Sequence, residues 1–220
     1  MKAVVALSGG LDSTVLAYKL AAEGHDLIGM SVAYGQRHAR ELLSARAVAA
    51  SLGIECEFVD LSALRPVLGG SSQTSTDVAV PEGHYADESM KVTVVPNRNM
   101  ILLAVAGALA VSRKADAVAY AAHGGDHAIS PDCRPEFVSA MMLALGRCDW
   151  HGVALEAPFI TKPKADIVAL GHKLAVPFAD TWSCYKGDMA HCGRCGTCVE
   201  RREAFVLANV PDPTIYEAVA

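Results

Sequence analysis

A glycine-containing loop near the start of the chain lies between an apolar run and a helical stretch. Residues 3–7 form the apolar run and predict a buried strand, and residues 13–23 carry apolar side chains at helical spacing. Gly9 and Gly10 lie between them and let the backbone turn tightly and approach an anion closely. The free amides at a helix start point toward such an anion. The N-terminal unit is therefore predicted to be a strand, a phosphate-binding loop and a helix.

The same alternation of strand and helix continues along the chain. Further apolar runs predict strands at 26–33, 55–61, 115–122 and 152–157, and helical periodicity predicts helices at 40–52, 97–111, 134–145, 164–174 and 199–207. Strands that alternate with helices build a parallel sheet covered on both faces. Because 52% of the 220 residues are hydrophobic, the chain can build one sizeable core. The predicted fold class is α/β, with a doubly wound, mostly parallel sheet.

One long segment interrupts this rhythm. Residues 62–93 are rich in Ser, Gly, Thr and Pro and show no sustained period. Such a segment inside a compact domain is usually a functional loop or a mobile lid. The predicted organisation is an α/β domain over residues 1–181 that contains this insertion. A small C-terminal metal-binding segment with a helix, residues 182–220, is expected to pack on the same domain.

The N-terminal loop carries the strongest chemical motif, Ser-Gly-Gly-Leu-Asp-Ser at residues 8–13. It lacks the Gly-Lys-Ser/Thr ending of the kinase-type phosphate loop. It resembles the loop of the PP-loop ATP pyrophosphatase superfamily, whose members cleave ATP between the α and β phosphates. An ordinary strand-to-helix turn is the alternative. The resemblance implies an ATP site formed by Ala6, Leu7, Ser8, Gly9, Gly10, Leu11, Asp12, Ser13, Thr14, Val15 and Leu16.

Charged residues near this loop suggest how the phosphates are balanced. A carboxylate is unfavourable in a phosphate site unless it holds a cation, so Asp12 points to Mg²⁺ bound with ATP. Arg98 is predicted at the start of a buried helix, and Lys162 lies beside Pro163 at another helix start. For each cation taken alone, a solvated surface charge is a commoner role than a ligand contact. With the loop present, Lys162, Arg98 and Asp12 are the predicted catalytic residues.

A cluster of cysteines occupies the C-terminal segment. Four of the seven cysteines, Cys184, Cys192, Cys195 and Cys198, lie close together, and two steps have the Cys-x₂-Cys spacing. Four sulfurs at this spacing suit a tetrahedral, structural Zn²⁺. An iron–sulfur cluster is the competing metal centre, and disulfides are the third interpretation. Because four cysteines complete the zinc shell, neighbouring His191 is expected to have a supporting polar role.

A loop rich in His, Asp and Arg follows the fourth predicted strand, at residues 123–137. In open α/β sheets, ligands bind beyond the carboxyl ends of the strands. The candidate substrate-binding residues are therefore Asp126, His127, Asp132 and Arg134. A polar surface turn, with Asp132 capping the following helix, is the alternative.

Four segments, taken together, resemble the 7-cyano-7-deazaguanine synthase family of queuosine biosynthesis. They are residues 6–13, the Val-Pro-Asn-Arg-Asn run at 95–99, the loop at 125–137, and the cysteines at 184–198. The run at 34–38, which ends at His38, also fits the family. The resemblance implies an adenine nucleotide alpha hydrolase-like fold and a homodimer. One position departs from the family, because Ser130 stands where a tyrosine is usual. Its loss removes a ring near the substrate.

The resemblance also implies a reaction. Family members convert 7-carboxy-7-deazaguanine and ammonia into 7-cyano-7-deazaguanine, using ATP, through an adenylated carboxylate and an amide. In this scheme Asp126 and Asp132 read the guanine-like edge and Arg134 meets the substrate carboxylate. A salt bridge to Glu136 is the rival role for Arg134. The alternatives are a related PP-loop ligase that stops at the amide or acts on another carboxylate or on tRNA, and a non-catalytic nucleotide- or zinc-binding module.

Composition limits the partners of the chain. A net charge of −5 does not favour a nucleic-acid surface, so small-molecule substrates are expected and no stable nucleic-acid partner. The apolar run at 100–111 is too short to span a bilayer. The N-terminus lacks the long apolar core of a signal peptide. A cytoplasmic location with no membrane contact is expected.

Overall fold

The fold is built on one sheet of five parallel strands. A computed structural model describes residues 1–37, 40–187 and 189–218. Strands β1 (Lys2–Ala6), β2 (Asp26–Ala33), β3 (Glu55–Asp60), β4 (Ala117–Ala119) and β5 (Ala154–Glu156) pair in the order β3-β2-β1-β4-β5. The predicted parallel α/β sheet is confirmed. His38 and the last two residues of the predicted C-terminal segment lie outside the described ranges.

Helices cover both faces of this sheet. The helices are α1 (Leu11–Ala22), α2 (Arg40–Leu52), α3 (Arg98–Ser112), α4 (Pro135–Leu145), α5 (Lys164–Lys173) and α6 (Gly196–Leu207). Side chains of α1, α2, α5 and α6 pack with Ala3 and Val5 of β1 on one face. Side chains of α3 and α4 pack with Val4 on the other. Neighbouring strand residues point to opposite faces, so β1 needs a continuous apolar run to bury both. Among the described helices, none is both long and apolar enough to cross a bilayer.

Two predicted boundaries shift at the places where the site is built. Helix α1 begins at Leu11 rather than at 13, directly after the glycine loop. Helix α6 begins at Gly196 rather than at 199, with Cys195 as its N-cap, so Cys198 lies in the first helical turn. The sequence pattern placed this start too late because cysteines and glycines are weak helix formers and mask the periodicity.

The insertion at residues 62–93 has few regular elements but is packed on the domain. It contains two 3₁₀ helices, Ser62–Val67 and Glu88–Thr93. Polar side chains at residues 71–74 are buried. This part of the insertion is joined to its C-terminal end, because the Ser72 amide donates to the Val92 carbonyl at 2.9 Å. The Ser71 hydroxyl donates to the Thr93 carbonyl at 3.0 Å. Because buried polar groups require such partners, the segment has a defined course.

A fully buried arginine fixes α6 to the rest of the chain. Arg201 donates to the Phe178 carbonyl at 2.9 Å, to the Thr181 hydroxyl at 2.8 Å and to the Thr214 hydroxyl at 2.7 Å. Its guanidinium also lies 3.6 Å from the Asp212 carboxylate. A buried cation is tolerated only with this degree of hydrogen bonding and charge pairing. One side chain thus connects α6 to the segments before and after it.

Replacing this arginine is expected to loosen the C-terminal part of the chain. Arg201→Met removes the donors and leaves Asp212 without its cation, so we expect the free energy of unfolding to fall by about 3 kcal/mol. Arg202→Met, next to it but exposed, is the control and should change stability by less than about 0.5 kcal/mol. Denaturant unfolding measures both. Equal losses in the two variants would contradict the role of the buried network.

Candidate active site

The N-terminal loop is shaped by its own hydroxyl groups. The Ser8 and Ser13 hydroxyls lie 3.0 Å apart, and the Ser8 amide donates to the Ser13 hydroxyl at 3.2 Å. The Thr14 hydroxyl donates to the Gly10 carbonyl at 2.7 Å. These bonds hold the loop in a fixed curve at the carboxyl end of β1. The first amides of α1 have no partner within the helix, so they are available to the phosphate oxygens of a ligand.

Gly9 is required by the backbone of this loop. Its φ is +82°, in the region that disfavours side chains, and a Cβ atom there would collide with the Glu41 carbonyl and lie 2.6 Å from the Ala45 amide. The loop therefore packs directly against the first turns of α2. The glycine predicted from the sequence to allow a tight turn is needed for both conformation and space.

A partly buried ion-pair chain lies beside the loop. The Lys164 ammonium lies 3.1 Å from the Asp12 carboxylate and donates to Glu200 at 2.8 Å. His123 lies 3.8 Å from Asp12 and 3.5 Å from Asp126. The network thus joins α1, α5, α6 and the loop after β4 at the carboxyl edge of the sheet.

The network sets the charge of its members. Burial alone would raise the pKa of Asp12, but Lys164 and His123 outweigh it and hold that pKa below its ordinary value. The pKa of Glu200 is raised because burial outweighs the attraction of Lys164. The carboxylates also raise the pKa of Lys164 despite its burial. Lys164 is therefore a fixed positive charge. Among the described residues, Asp12 Oδ1 is one of the buried side-chain oxygens without a hydrogen-bond partner, and it is free to meet a cation or a ligand donor.

The loop and the ion-pair chain border one cavity of about 240 Å³. Arg98 reaches it from the start of α3, with its guanidinium 5.9 Å from the centre of the Tyr34 ring. Loss of water around the half-buried Arg98 would lower its pKa, but nearby tyrosines and Asp132 raise it above its ordinary value, so Arg98 keeps its charge. Four tyrosines line the cavity: Tyr34, Tyr85, Tyr120 and Tyr185. A cavity with aromatic walls, two cations and a phosphate loop suits a planar, anionic ligand that carries or lies beside phosphate groups.

The structure divides the residues predicted from the loop after β4. Asp126 lines the cavity, and its Oδ1 accepts a hydrogen bond from the Tyr85 hydroxyl at 3.3 Å. Asp132 instead accepts from the Asn99 amide at 3.3 Å and so caps α3 rather than its own helix. Arg134 is exposed and donates to the His127 carbonyl at 2.9 Å. Of these four predicted residues, the cavity lining contains Asp126, while Asp132, His127 and Arg134 shape the loop around it.

The predicted ATP-binding residues divide in the same way. Most of the stretch from Ala6 to Ser13 borders the cavity, whereas Val15 and Leu16 are fully buried in the core. Lys162 is exposed, and its carbonyl accepts from the Gly124 amide at 2.9 Å. The lysine that lines the cavity is Lys164, on the other side of Pro163. Pro163 is the N-cap of α5, so Lys164 is the first residue of that helix and points along it into the network.

Cys133 is held as a neutral thiol. It lines the cavity, and its sulfur lies 3.4 Å from the Asn99 amide nitrogen and 3.3 Å from the Tyr120 hydroxyl. Burial, with Asp126 nearby, raises the pKa of Cys133 to about 12. A nucleophilic cysteine needs the thiolate and hence a depressed pKa. The environment of Cys133 therefore gives no support to a covalent step.

Glu41 is a cavity residue that sequence reasoning missed. It lies in the first turn of α2, and no hydrogen bond or ion pair engages its carboxylate among the described residues. Burial raises its pKa to about 7, although Arg98 opposes the shift. The signal was weak, because Glu in a first helical turn is ordinary. Glu200 and the tyrosines were missed for the same reason: each looks like a routine polar or half-buried residue.

The four C-terminal cysteines meet as predicted. All four sulfurs lie within 4.8 Å of one another and are buried. The sulfurs of Cys184 and Cys195 are 4.0 Å apart, and so are those of Cys192 and Cys198. A tetrahedral zinc with 2.3 Å bonds would hold its sulfur ligands about 3.8 Å from one another, which is close to these distances. Backbone amides of Gly187 and Cys192 donate to the Cys184 sulfur at 3.0 and 3.2 Å. This donor set can hold a metal ion. His191 stays outside it, and accepts from the Ser183 amide at 3.2 Å.

The fold and the loop define a PP-loop protein, with an adenine nucleotide alpha hydrolase-like sheet. The fold resembles a U34-tRNA thiolase NcsA from Methanococcus maripaludis, solved with its [4Fe-4S] cluster, at TM-score 0.53 and 18% identity, over 95% of this chain and 65% of that one. It also resembles an NMN synthetase from Francisella tularensis at TM-score 0.52 and 14% identity, over 96% of this chain and 77% of that one. At such identities the likeness concerns the fold alone.

Closer relatives give the family. The family model described as "Queuosine biosynthesis protein QueC" matches residues 2–209. A 7-cyano-7-deazaguanine synthase of Rhizobium rhizogenes is 57% identical over 99% of this chain and 92% of its own length. Another, from Ruegeria pomeroyi, is 56% identical over 98% of this chain and 94% of its own. The chain belongs to the QueC family.

The raised pKa of Glu41 makes stability depend on pH. Its ordinary value is 4.5 and its value in the fold is about 7, so between these values the folded chain keeps a proton that the unfolded chain has lost. The free energy of unfolding therefore falls as pH rises through this window. Glu41→Gln cannot ionise, and we expect it to exceed the wild type at pH 8 by about 1–2 kcal/mol, after allowance for partial solvent screening.

The comparison is made by denaturant unfolding at pH 8 and pH 5, where the gain of Glu41→Gln should have largely disappeared. Glu136→Gln is the control, because Glu136 is an exposed residue in the first turn of α4. Its effect should be the same at both pH values. A gain for Glu41→Gln that does not change with pH would show that the Glu41 carboxyl is not perturbed by burial.

Proposed function

We propose that this chain converts 7-carboxy-7-deazaguanine and ammonia into 7-cyano-7-deazaguanine with the use of ATP. One observation carries the proposal: the phosphate loop and Asp126 line a single cavity in a chain of the QueC family. The curated relatives at 56–57% identity bear the name of that synthase. The two halves of the cavity match the two substrates, because phosphate donors lie on one side and a carboxylate with tyrosine rings on the other.

The first half of the reaction needs an activated acid. A carboxylate oxygen attacks the α phosphorus of ATP, the bond to pyrophosphate breaks, and an acyl adenylate forms. Ammonia then attacks the carbonyl carbon, and AMP leaves with the former carboxylate oxygen while a proton goes to solvent or base. The product is the amide. Adenylation makes this step possible because AMP is a good leaving group, whereas the free carboxylate oxygen is a poor one.

The second half repeats the activation on the amide. The amide oxygen attacks a second ATP, pyrophosphate leaves, and the oxygen becomes part of a second AMP leaving group. Loss of that AMP and of the remaining N–H protons gives the nitrile. One cavity that holds ATP beside the base serves both halves, and no covalent enzyme intermediate is needed. The neutral thiol of Cys133 agrees with this scheme.

On the phosphate side, the Ser8 and Ser13 hydroxyls and the first amides of α1 hold the pyrophosphate oxygens. Lys164 supplies the fixed cation of the ion-pair chain, and Asp12 holds it in place and meets the Mg²⁺ that accompanies ATP. The orphan Oδ1 of Asp12 supports that role. Lys162 was the cation expected from the sequence, and in this proposal it is replaced by Lys164. Preorganised charges of this kind stabilise the charge that develops as the α phosphate reacts.

On the acid side, Arg98 faces the substrate carboxylate and the α phosphate. Asp126 accepts hydrogen bonds from the donor-rich edge of the guanine-like ring, since a carboxylate keeps free lone pairs beyond those it uses in the protein. Arg134 and Asp132 act through the loop rather than on the substrate. The tyrosine walls hold the planar ring between them.

The cysteine site is assigned to a structural Zn²⁺. Its four buried thiolates leave no open position for substrate, which is the pattern of structural rather than catalytic zinc. An iron–sulfur cluster is distinguished by metal analysis of the purified protein and by its visible absorption. We place the protein in the cytoplasm, where ATP is available. We also propose that it forms a homodimer.

The activity is tested by mass spectrometry. The protein is incubated with ATP, Mg²⁺, 7-carboxy-7-deazaguanine and ammonium, and the expected products are the nitrile with two AMP for each nitrile formed. Amide without nitrile would identify an enzyme that stops halfway. AMP release with a different carboxylate, and none with this acid, would overturn the substrate and keep the ATP site.

The two lysines that flank Pro163 give a matched test of the phosphate-side assignment. Lys164→Gln removes the fixed cation from the cavity, so we expect kcat/KM to fall by a factor on the order of 100. Lys162→Gln removes an exposed charge at the same helix start and should stay within about threefold of the wild type. Thermal unfolding checks that both variants are folded. A large loss in Lys162→Gln with none in Lys164→Gln would restore the assignment made from the sequence.

A further inference from the structure

The segment at residues 82–90, here called the wall because its Tyr85 lines the cavity, is attached to the cysteine module, defined as residues 182–198. Glu82 forms an antiparallel bridge with Cys195, and the Gly83 amide donates to the Arg194 carbonyl at 3.1 Å. The Glu82 carboxylate lies 2.6 Å from Lys186 and 3.3 Å from Arg194. The insertion is thus joined to the stretch of chain that carries the metal ligands.

Close packing strengthens this attachment at a second point. A Cβ atom on Gly196 would lie 2.7 Å from the Met90 sulfur and 3.3 Å from the Tyr85 ring. Met90 is 1% exposed. Only a glycine next to Cys195 leaves room for these two side chains, so the start of α6 and the wall are in direct contact.

The attached wall delivers one polar atom into the active site. Tyr85 is buried, lines the cavity, and its hydroxyl donates to Asp126 Oδ1 at 3.3 Å. The other Asp126 oxygen accepts from the His123 amide at 3.4 Å. The carboxylate is therefore held from two sides, by the loop that contains it and by the wall. Burial raises the pKa of Tyr85, so the hydroxyl stays protonated and remains a donor.

We propose that Tyr85 is a positioning residue for recognition of the acid substrate, and that the cysteine module holds it on Asp126. The module then determines substrate affinity as well as stability. This inference rests on the proposed role of Asp126 in reading the ring edge. A metal bound to the four cysteines would fix their positions. The bridge at Glu82 and the contact at Gly196 would then hold the wall, and with it Tyr85, in a fixed position.

Tyr85→Phe tests the positioning role because it removes the hydroxyl and keeps the ring. We expect KM for the acid to rise roughly three- to tenfold, the change that corresponds to the loss of one ordinary hydrogen bond. The kcat and the KM for ATP should stay within about twofold. Tyr18→Phe is the control, since it loses a hydroxyl contact to Ser51 at 2.8 Å away from the cavity. An unchanged KM for the acid in Tyr85→Phe would overturn the role.

The double variant separates this inference from the proposed function. If Tyr85 acts through Asp126, Tyr85→Phe adds no further rise in KM to Asp126→Asn. Full additivity of the two effects would overturn the positioning role. If Asp126→Asn alone leaves KM for the acid unchanged, the proposed role of Asp126 fails. If the wild type does not turn over this acid, the activity itself fails, and the attachment is still tested by the exchange measurement below.

Charge reversal tests the attachment without touching the cavity. Glu82→Lys places a third cation against Lys186 and Arg194, so we expect amide hydrogen exchange across 82–93 to accelerate by at least about tenfold. KM for the acid should rise several-fold. Glu88→Lys is the matched control, because Glu88 pairs at 2.6 Å with Lys91 inside the same insertion and does not reach the cysteine module. Unchanged exchange in Glu82→Lys, or faster exchange with an unchanged KM for the acid, would overturn the proposal.

Discussion

Lys164 is a largely buried ammonium, with its side chain 11% exposed, and the rest of the site depends on it. An unpaired charge of this kind would be strongly unfavourable, so its two carboxylate partners have to be present in the folded chain. Asp12 comes from the first turn of α1 and Glu200 from α6. The ion pair therefore requires the N-terminal loop, the start of α5 and the C-terminal helix to meet at one point. That point is the carboxyl edge of the sheet, where the cavity lies.

Helix α6 shows how one element serves three purposes. Cys195 and Cys198 at its start belong to the cysteine site. Thr197 and Glu200, three residues apart on the same side of the helix, line the cavity. Arg201, in the next turn, is fully buried and binds the segments on either side. The angles between side chains on one helix are fixed by their spacing in the sequence. Because the cysteine site fixes the start of α6, it also determines the direction in which Glu200 points.

Much of this arrangement could be predicted from the sequence. The strand–loop–helix unit, the parallel sheet and the four-cysteine cluster each follow from local patterns of glycines, apolar runs and sulfur spacing. The choice between Lys162 and Lys164 could not, because both flank Pro163 and the direction of α5 decides which one enters the site. Arg98 rather than Arg134 reaches the cavity for a similar reason: the latter follows a turn that carries it to the surface. Glu200 lies in a run of charged residues, where pattern alone cannot separate a buried carboxylate from a solvated one.

The serine at position 130 has a different meaning once the cavity is known. The sequence predicted a missing ring near the substrate at this point. Ser130 does line the cavity, and its amide donates to the Asp126 carbonyl at 2.8 Å. Yet four tyrosines border the same space, and Tyr85 and Tyr185 come from the insertion and the cysteine segment rather than from the loop of Ser130. Aromatic contact with a planar ring needs a face at the right distance, whichever segment supplies it. Because the walls come from several segments, a change at position 130 alters one contact and leaves the aromatic enclosure in place.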